Sequence, residues 1–153
     1  MTVYLSLGTN LGNKNINLLK AIALIAERIG IFSAISSVYE TEPWGFESDN
    51  SFLNMVVSVE TTLDPLEILK ETQNIEKKIG RTEKSNGSYH DRLIDIDIIL
   101  YDDLVFQSDK LQLPHPLFHK RQFVLKPLNE IAPELIHPVF NKTISSLYQN
   151  LNL

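Results

Sequence analysis

Apolar residues along this chain change their period several times, and each change marks an element. Val3, Leu5 and Leu7 alternate with polar or mixed residues, the period-two pattern of a strand. After the turn-rich Gly8-Thr9-Asn10-Leu11-Gly12, residues Leu18, Ile22, Ile25 and Ile29 recur at helical spacing. Asn13 or Asn15 can cap that helix, and Gly30 is placed to end it. Residues 31–41 are rich in β-branched and aromatic side chains and predict a second strand. Pro43, Gly45, Asp49 and Asn50 mark a loop over 42–51. Phe52 to Thr61 alternates again, with Leu53, Met55, Val57 and Val59 on one face and Phe52, Asn54, Val56 and Ser58 on the other. Asp64-Pro65-Leu66-Glu67 opens a second helix, because Asp64 can cap, Pro65 suits the first turn and Glu67 completes a capping box. Ile68, Thr72, Ile75 and Ile79 line its apolar face, and Gly80 closes it. A polar loop spans 81–92. Leu93 to Tyr101 predicts a fourth strand with Ile94, Ile96, Ile98 and Leu100 on one side.

The order β-α-β-β-α-β predicts an α+β fold of the ferredoxin-like, split βαβ kind: an antiparallel sheet with both helices on one face. The helices would cover the Leu53/Val57 and Ile96/Ile98 faces. The opposite face would carry Phe52, Asn54, Asp95 and Asp97 with no helix over it. Five of the seven prolines lie in the C-terminal third, so extra, shorter elements are expected there, with a last helix starting near Thr143. No linker or repeat divides the chain, and 1–153 reads as a single domain.

Composition narrows the function. The chain has 153 residues, 43% of them hydrophobic and 22% charged, with no cysteine, so no disulfide or thiolate zinc site is available. A net charge of −5 argues against a nucleic-acid partner. No run approaches the roughly 20 apolar residues of a membrane span, and the N-terminal residues do not resemble a signal peptide. A cytoplasmic protein without membrane contact is the expectation. Yet Arg81, Lys84, Arg92, Lys110, Lys120 and Arg121 concentrate around Asp95 and Asp97, which suits a small polyphosphate ligand.

Asp95 and Asp97 flank one isoleucine in an apolar strand, so their carboxylates share a face with Cα atoms roughly 7 Å apart. Two such carboxylates repel unless a cation lies between them, and hard oxygen ligands of this kind suit Mg²⁺. The alternative is an exposed sheet face that carries acids merely for solvation. Phe52 and Asn54 put a flat apolar ring beside an amide on one strand face, a combination that satisfies a planar polar heterocycle. Trp44, Tyr89 and Phe123 are further aromatic candidates, and His115 sits in the constrained Leu113-Pro114-His115-Pro116 segment.

Seven segments in order resemble the 6-hydroxymethyl-7,8-dihydropterin pyrophosphokinase family: Leu7-Gly8-Thr9-Asn10-Leu11-Gly12, Tyr39-Glu40-Thr41-Glu42-Pro43-Trp44-Gly45, Phe52-Leu53-Asn54, Ile75-Glu76 with Gly80-Arg81, Arg92-Leu93-Ile94-Asp95-Ile96-Asp97, Leu113-Pro114-His115-Pro116, and Arg121-Gln122-Phe123-Val124-Leu125 running on to Glu130-Ile131-Ala132-Pro133-Glu134. The resemblance implies the fold just described and a reaction in which ATP and the pterin alcohol give AMP and the pterin diphosphate. It implies that Asp95 and Asp97 bind two Mg²⁺ ions bridging the ATP phosphates, and that Phe52 and Phe123 sandwich the pterin. Asn54, Thr41, Pro43, Trp44, Tyr89 and Asp95 would complete the pterin site. Gln73, Glu76, Arg92, Ile98, Lys110, Gln112, His115 and Arg121 would surround ATP. Arg81 and Arg92 would join the two aspartates in catalysis, Arg81 reaching the phosphates as its loop closes. A monomer is the family expectation.

The chain departs from the family pattern in places. Glu83 stands where a second arginine is common, Tyr89 where a tryptophan is, and His90-Asp91 where a small residue and proline are. Phe52 replaces a frequent tyrosine, losing the hydroxyl and keeping the ring. Two other readings compete: a non-catalytic ferredoxin-like ligand-binding or regulatory module, which has no need of Asp95/Asp97 beside Arg81 and Arg92, and a sugar-nucleotide transferase, which would need a nucleotide-binding βαβ repeat.

Overall fold

The alternating segments do pair as one antiparallel sheet. In a computed structural model, which describes residues 1–41, 51–80 and 93–151, the elements are β1 (Thr2–Thr9), α1 (Lys14–Arg28), β2 (Gly30–Ile35), β3 (Tyr39–Thr41), β4 (Phe52–Thr61), α2 (Pro65–Ile79) and β5 (Asp95–Tyr101). A short hairpin, β6 (Phe106–Gln107) with β7 (Gln112–Leu113), and two helices, α3 (Gln122–Ile131) and α4 (Ile144–Leu151), follow. The sheet order is β2-β4-β1-β5, with β3 also pairing β4, and every pairing is antiparallel. This is the ferredoxin-like α+β arrangement. Among the described residues, no helix is long and apolar enough to cross a membrane.

Helix ends follow the sequence signals. The Asn13 side chain accepts from the Ile16 N–H at 3.2 Å. Asp64 and Glu67 form the reciprocal capping box, with bonds of 2.8 and 3.0 Å. Gly30 is explained differently. It begins β2, and a Cβ there would lie 2.0 Å from the Glu60 carbonyl oxygen, so close approach of β4 demands the glycine.

Two cores sandwich the sheet. Val3, Leu5 and Leu7 of β1, Met55, Val57 and Val59 of β4, and Ile96 and Ile98 of β5 pack under Leu18, Ala21 and Ile25 of α1 and Ile68 and Ile75 of α2. On the other face Val56, Ile99 and Leu100 meet Val124, Leu125 and Leu128 of α3 and Ile144 and Leu147 of α4. That second core corrects the expectation of an uncovered face. The C-terminal helices roof part of it, and only the end carrying Phe52, Asn54, Asp95 and Asp97 lies beyond the buried cluster.

Strand boundaries bring further corrections. Residues 31–41 form two strands rather than one. At the break, Ser36 donates its N–H to the Val56 carbonyl while its Oγ accepts from the Val56 N–H, both at 2.9 Å, so a side chain stands in for a ladder carbonyl. The fourth predicted strand starts at Asp95 instead of Leu93, and Ile99 is an extra residue in it, since Leu5 pairs Ile98 and Tyr4 pairs Leu100. The bulge moves Leu100 off the Ile96/Ile98 face into the second core and returns Tyr101 to the first. α3 has no counterpart among the helices that the sequence pattern predicts.

Candidate active site

Sheet register brings the polar residues together. Asn54 of β4 pairs Gly8 of β1, Gly8 pairs Asp95 of β5, and Tyr39 of β3 pairs Asn54. Residues opposite one another share a face, so Tyr39, Asn54, Gly8 and Asp95 form one row across four strands. The neighbouring rows supply Thr41 opposite Phe52 and Ser6 between Val56 and Asp97. Gly8 is therefore the floor of the row, whereas the sequence alone put it in the turn. A Cβ on Gly8 would come within 3.1 Å of Asn54 Oδ1 and 3.9 Å of Phe52 Cδ1. The signal in the sequence was one glycine inside an otherwise regular strand pattern, which marks a close approach.

Asn54 is buried, and its Nδ2 donates to Thr41 Oγ1 at 2.8 Å, which fixes the amide so that Oδ1 is presented over Gly8. Phe52 and Phe123 are half-buried, the latter in the first turn of α3, and the Arg121 guanidinium lies 5.8 Å from the Phe123 ring centroid. The start of β5 is anchored too. Thr9 Oγ1 donates to the Leu93 carbonyl, and the buried Asn17 amide donates to the Leu11 carbonyl at 2.9 Å.

Asp95 and Asp97 are half-buried on the same face, as the i, i+2 spacing requires. Among the described residues no group of three or more His, Asp or Glu side chains forms a metal cage. Two carboxylates on a strand still fit Mg²⁺, which keeps several waters and takes its other ligands from substrate phosphates. Glu76 is buried with its carboxylate turned to β5, where it accepts the Ile96 N–H at 2.8 Å. It fastens the one residue between the two aspartates.

A cleft of about 360 Å³ runs along the free edge of β5, lined by Leu69, Ile96, Asp97, Ile98, residues 108–112, His115 and Pro116. Ile98, Lys110, Gln112 and His115 meet there, and Asp97 joins the cleft to the sheet face. The Ile96 N–H points away from β1, toward Glu76, and by strand alternation the Ile98 backbone faces the same edge. His115 N–H donates to the Ile99 carbonyl at 2.9 Å, so the bulge seats this segment beside the cleft. His115 Nδ1 accepts the Leu117 N–H at 3.1 Å, which leaves Nε2 as the protonated nitrogen of the neutral ring. Burial, and then the nearby Arg121 charge, lower the His115 pKa to about 4, against an opposing pull from Asp95. Arg121 and Asp95 thus both lie within electrostatic reach of His115.

Gln73 stands exposed on α2 and does not line this cleft. Pro43, Trp44, Arg81, Glu83, Tyr89, the His90-Asp91 pair and Arg92, with most of loop 42–51 and all of loop 81–92, lie outside the described residues.

Comparison with known proteins gives the chain a family. A family model described as 7,8-dihydro-6-hydroxymethylpterin-pyrophosphokinase (HPPK) matches residues 4–133. A protein of Porphyromonas gingivalis named 2-amino-4-hydroxy-6-hydroxymethyldihydropteridine pyrophosphokinase is 51% identical over 138 residues, covering 89% of this chain and 93% of the relative. A relative of the same name from Aquifex aeolicus is 44% identical over 143 residues, covering 94% and 88%. Among solved structures, wild-type HPPK-DHPS of Plasmodium falciparum with pteroate superposes with a TM-score of 0.78 at 19% identity. It covers 97% of this chain, which spans only 44% of that longer one, so the likeness is one of fold.

Proposed function

The chain belongs to the 7,8-dihydro-6-hydroxymethylpterin-pyrophosphokinase family, and on that premise we propose that it transfers diphosphate from ATP to the hydroxymethyl group of 6-hydroxymethyl-7,8-dihydropterin in folate biosynthesis. The products are AMP and the pterin diphosphate. The observation that carries the reading is the row Asn54–Gly8–Asp95. A flat ring laid across the glycine meets an oriented amide at one end and a carboxylate at the other. A non-catalytic module has no use for the second carboxylate or for the adjoining cleft.

In this reading the pterin stacks between Phe52 and Phe123, with Asn54, Thr41 and Asp95 reading its edge and Pro43, Trp44 and Tyr89 completing the enclosure. ATP occupies the β5-edge cleft. The free edge of Ile98 and the amide of Gln112 suit a base, while Lys110, Arg121 and His115 Nε2–H supply donors to phosphate or ribose oxygens. Gln73 flanks the nucleotide, Glu76 acts by holding Ile96, and Arg81 and Arg92 bring the remaining cations. Asp95 and Asp97 would hold Mg²⁺, two ions by family resemblance, which when bound neutralises phosphate charge and acidifies the attacking hydroxyl.

The hydroxymethyl oxygen attacks the β-phosphorus and releases its proton to solvent, while the bond to the α–β bridging oxygen breaks and AMP departs from the opposite side with that oxygen. No bond to the protein forms, so the protein contributes alignment of two substrates and fixed charge around them. The test is AMP formation from ATP, Mg²⁺ and the pterin alcohol. ADP as the product, or AMP formed equally without pterin, would refute the reading. Asp97→Ala is expected to abolish turnover with an unchanged circular dichroism spectrum; activity retained at saturating Mg²⁺ would exclude the metal role.

A further inference from the structure

Glu130 lies in the segment following Phe123, and the mechanism above makes no use of it. In the structure it ends α3 and grips the edge of the sheet 93 residues earlier in sequence. Its two carboxylate oxygens accept from the Ser37 N–H at 2.9 and 3.0 Å, from Ser37 Oγ at 3.0 Å and from Tyr39 Oη at 2.6 Å. Charge-assisted bonds of this length, converging on one carboxylate, set an orientation as well as a distance. Lys126, one turn earlier, holds its ammonium 5.1 Å from the Tyr39 ring centroid, a cation–π contact from the same helix to the same tyrosine.

The two ends of this clamp are the two walls of the pterin subsite. Tyr39 pairs Asn54, and two residues on in the same short strand is Thr41, which pairs Phe52 and takes the Asn54 amide. On the helix, Phe123 precedes Glu130 by seven residues, about two turns, and so projects from nearly the same side. β3 is only three residues long, so its ladder to β4 is short and the Glu130 contacts from α3 add a second hold on it. Resting on the pterin reading of Phe52, Asn54 and Phe123, we propose that Glu130 is a positioning residue for the reaction. Through Ser37 and Tyr39 it locks α3 against β3 and so sets the gap into which the pterin ring slides.

The proposal predicts a selective effect. Glu130→Ala should raise the KM for the pterin about tenfold or more, the scale of losing a charge-assisted hydrogen bond. The kcat at saturating pterin and the affinity for a non-hydrolysable ATP analogue should change less than twofold. Glu130→Gln, which keeps one acceptor, should recover part of the loss. Tyr39→Phe, which deletes one donor only, should fall between wild type and Glu130→Ala. Asn54→Ala is measured alongside to separate two failures. If it also leaves pterin affinity untouched, the pterin assignment itself is wrong. If Asn54→Ala weakens pterin binding while Glu130→Ala lowers only the melting temperature, or weakens both substrates alike, the positioning role is refuted.

Discussion

Gly8 contributes no functional group, yet in the proposed function it lets neighbouring groups meet a common ligand. Asn54 and Asp95 are its two partners across the sheet, and a ring resting between them needs a floor without a side chain. Gly8→Val would place a branched side chain against Asn54 Oδ1, already 3.1 Å from where a Cβ would stand. Pterin affinity, measured by calorimetry, is expected to fall about 10- to 100-fold, a loss of the 1–3 kcal/mol typical of overpacking. Affinity for the ATP analogue should hold, because the cleft lies at the far edge of β5. Equal losses for both ligands would show that the sheet, and not the site floor, had been disturbed. Asn54 and Asp95 are legible in the sequence as candidates because their chemistry shows in single letters. The place of Gly8 is not legible there, because it is defined only by what lies on either side.

At the scale of elements, signals confined to a few residues are legible in the sequence, and those that depend on strand pairing or burial are not. The Asp64/Glu67 capping box spans four residues, so it can be recognised without knowing the rest of the fold. The Ile99 bulge arises from pairing with β1 and leaves no mark in an all-apolar run. α3 was hidden by Pro127, which lacks the N–H that would complete a helical turn. Burial of Val124, Leu125, Pro127 and Leu128 against β4, β5 and α4 outweighs that missing bond. Leu128→Ala should therefore destabilise the protein by ~2–5 kcal/mol in urea denaturation, as for other fully buried leucines. Because Phe123 and Glu130 ride on the same helix, the pterin KM should rise more than the ATP KM. An unchanged unfolding midpoint would mean that α3 is not part of the stable core.

The molecule as a whole should be acid-sensitive through its histidines. His115, His119 and His137 all have pKa values below the ordinary 6.5, each chiefly because burial disfavours the charged ring. For His115 the folded value is about 4. Between pH 6.5 and 4 the unfolded chain then binds protons that the folded chain does not, so this contribution is complete above 6.5 and is lost as pH falls toward 4. The melting temperature should decline over that window, and His115→Gln should flatten the decline. An identical slope in the variant would show that His115 titrates normally.

By itself, the sequence determined the strand and helix pattern, the same-sided aspartates and the order of segments that identifies the family. Each of these depends on neighbours a few residues apart or on residue identity alone. Tertiary structure decided which rows of the sheet coincide and that C-terminal helices roof part of its second face. It also decided that a cleft follows the outer edge of β5 and meets the sheet face at Asp97. Those features come from contacts between distant segments such as Glu130 and Ser37, whose register is set by the packing of two cores and leaves no periodic trace along the chain.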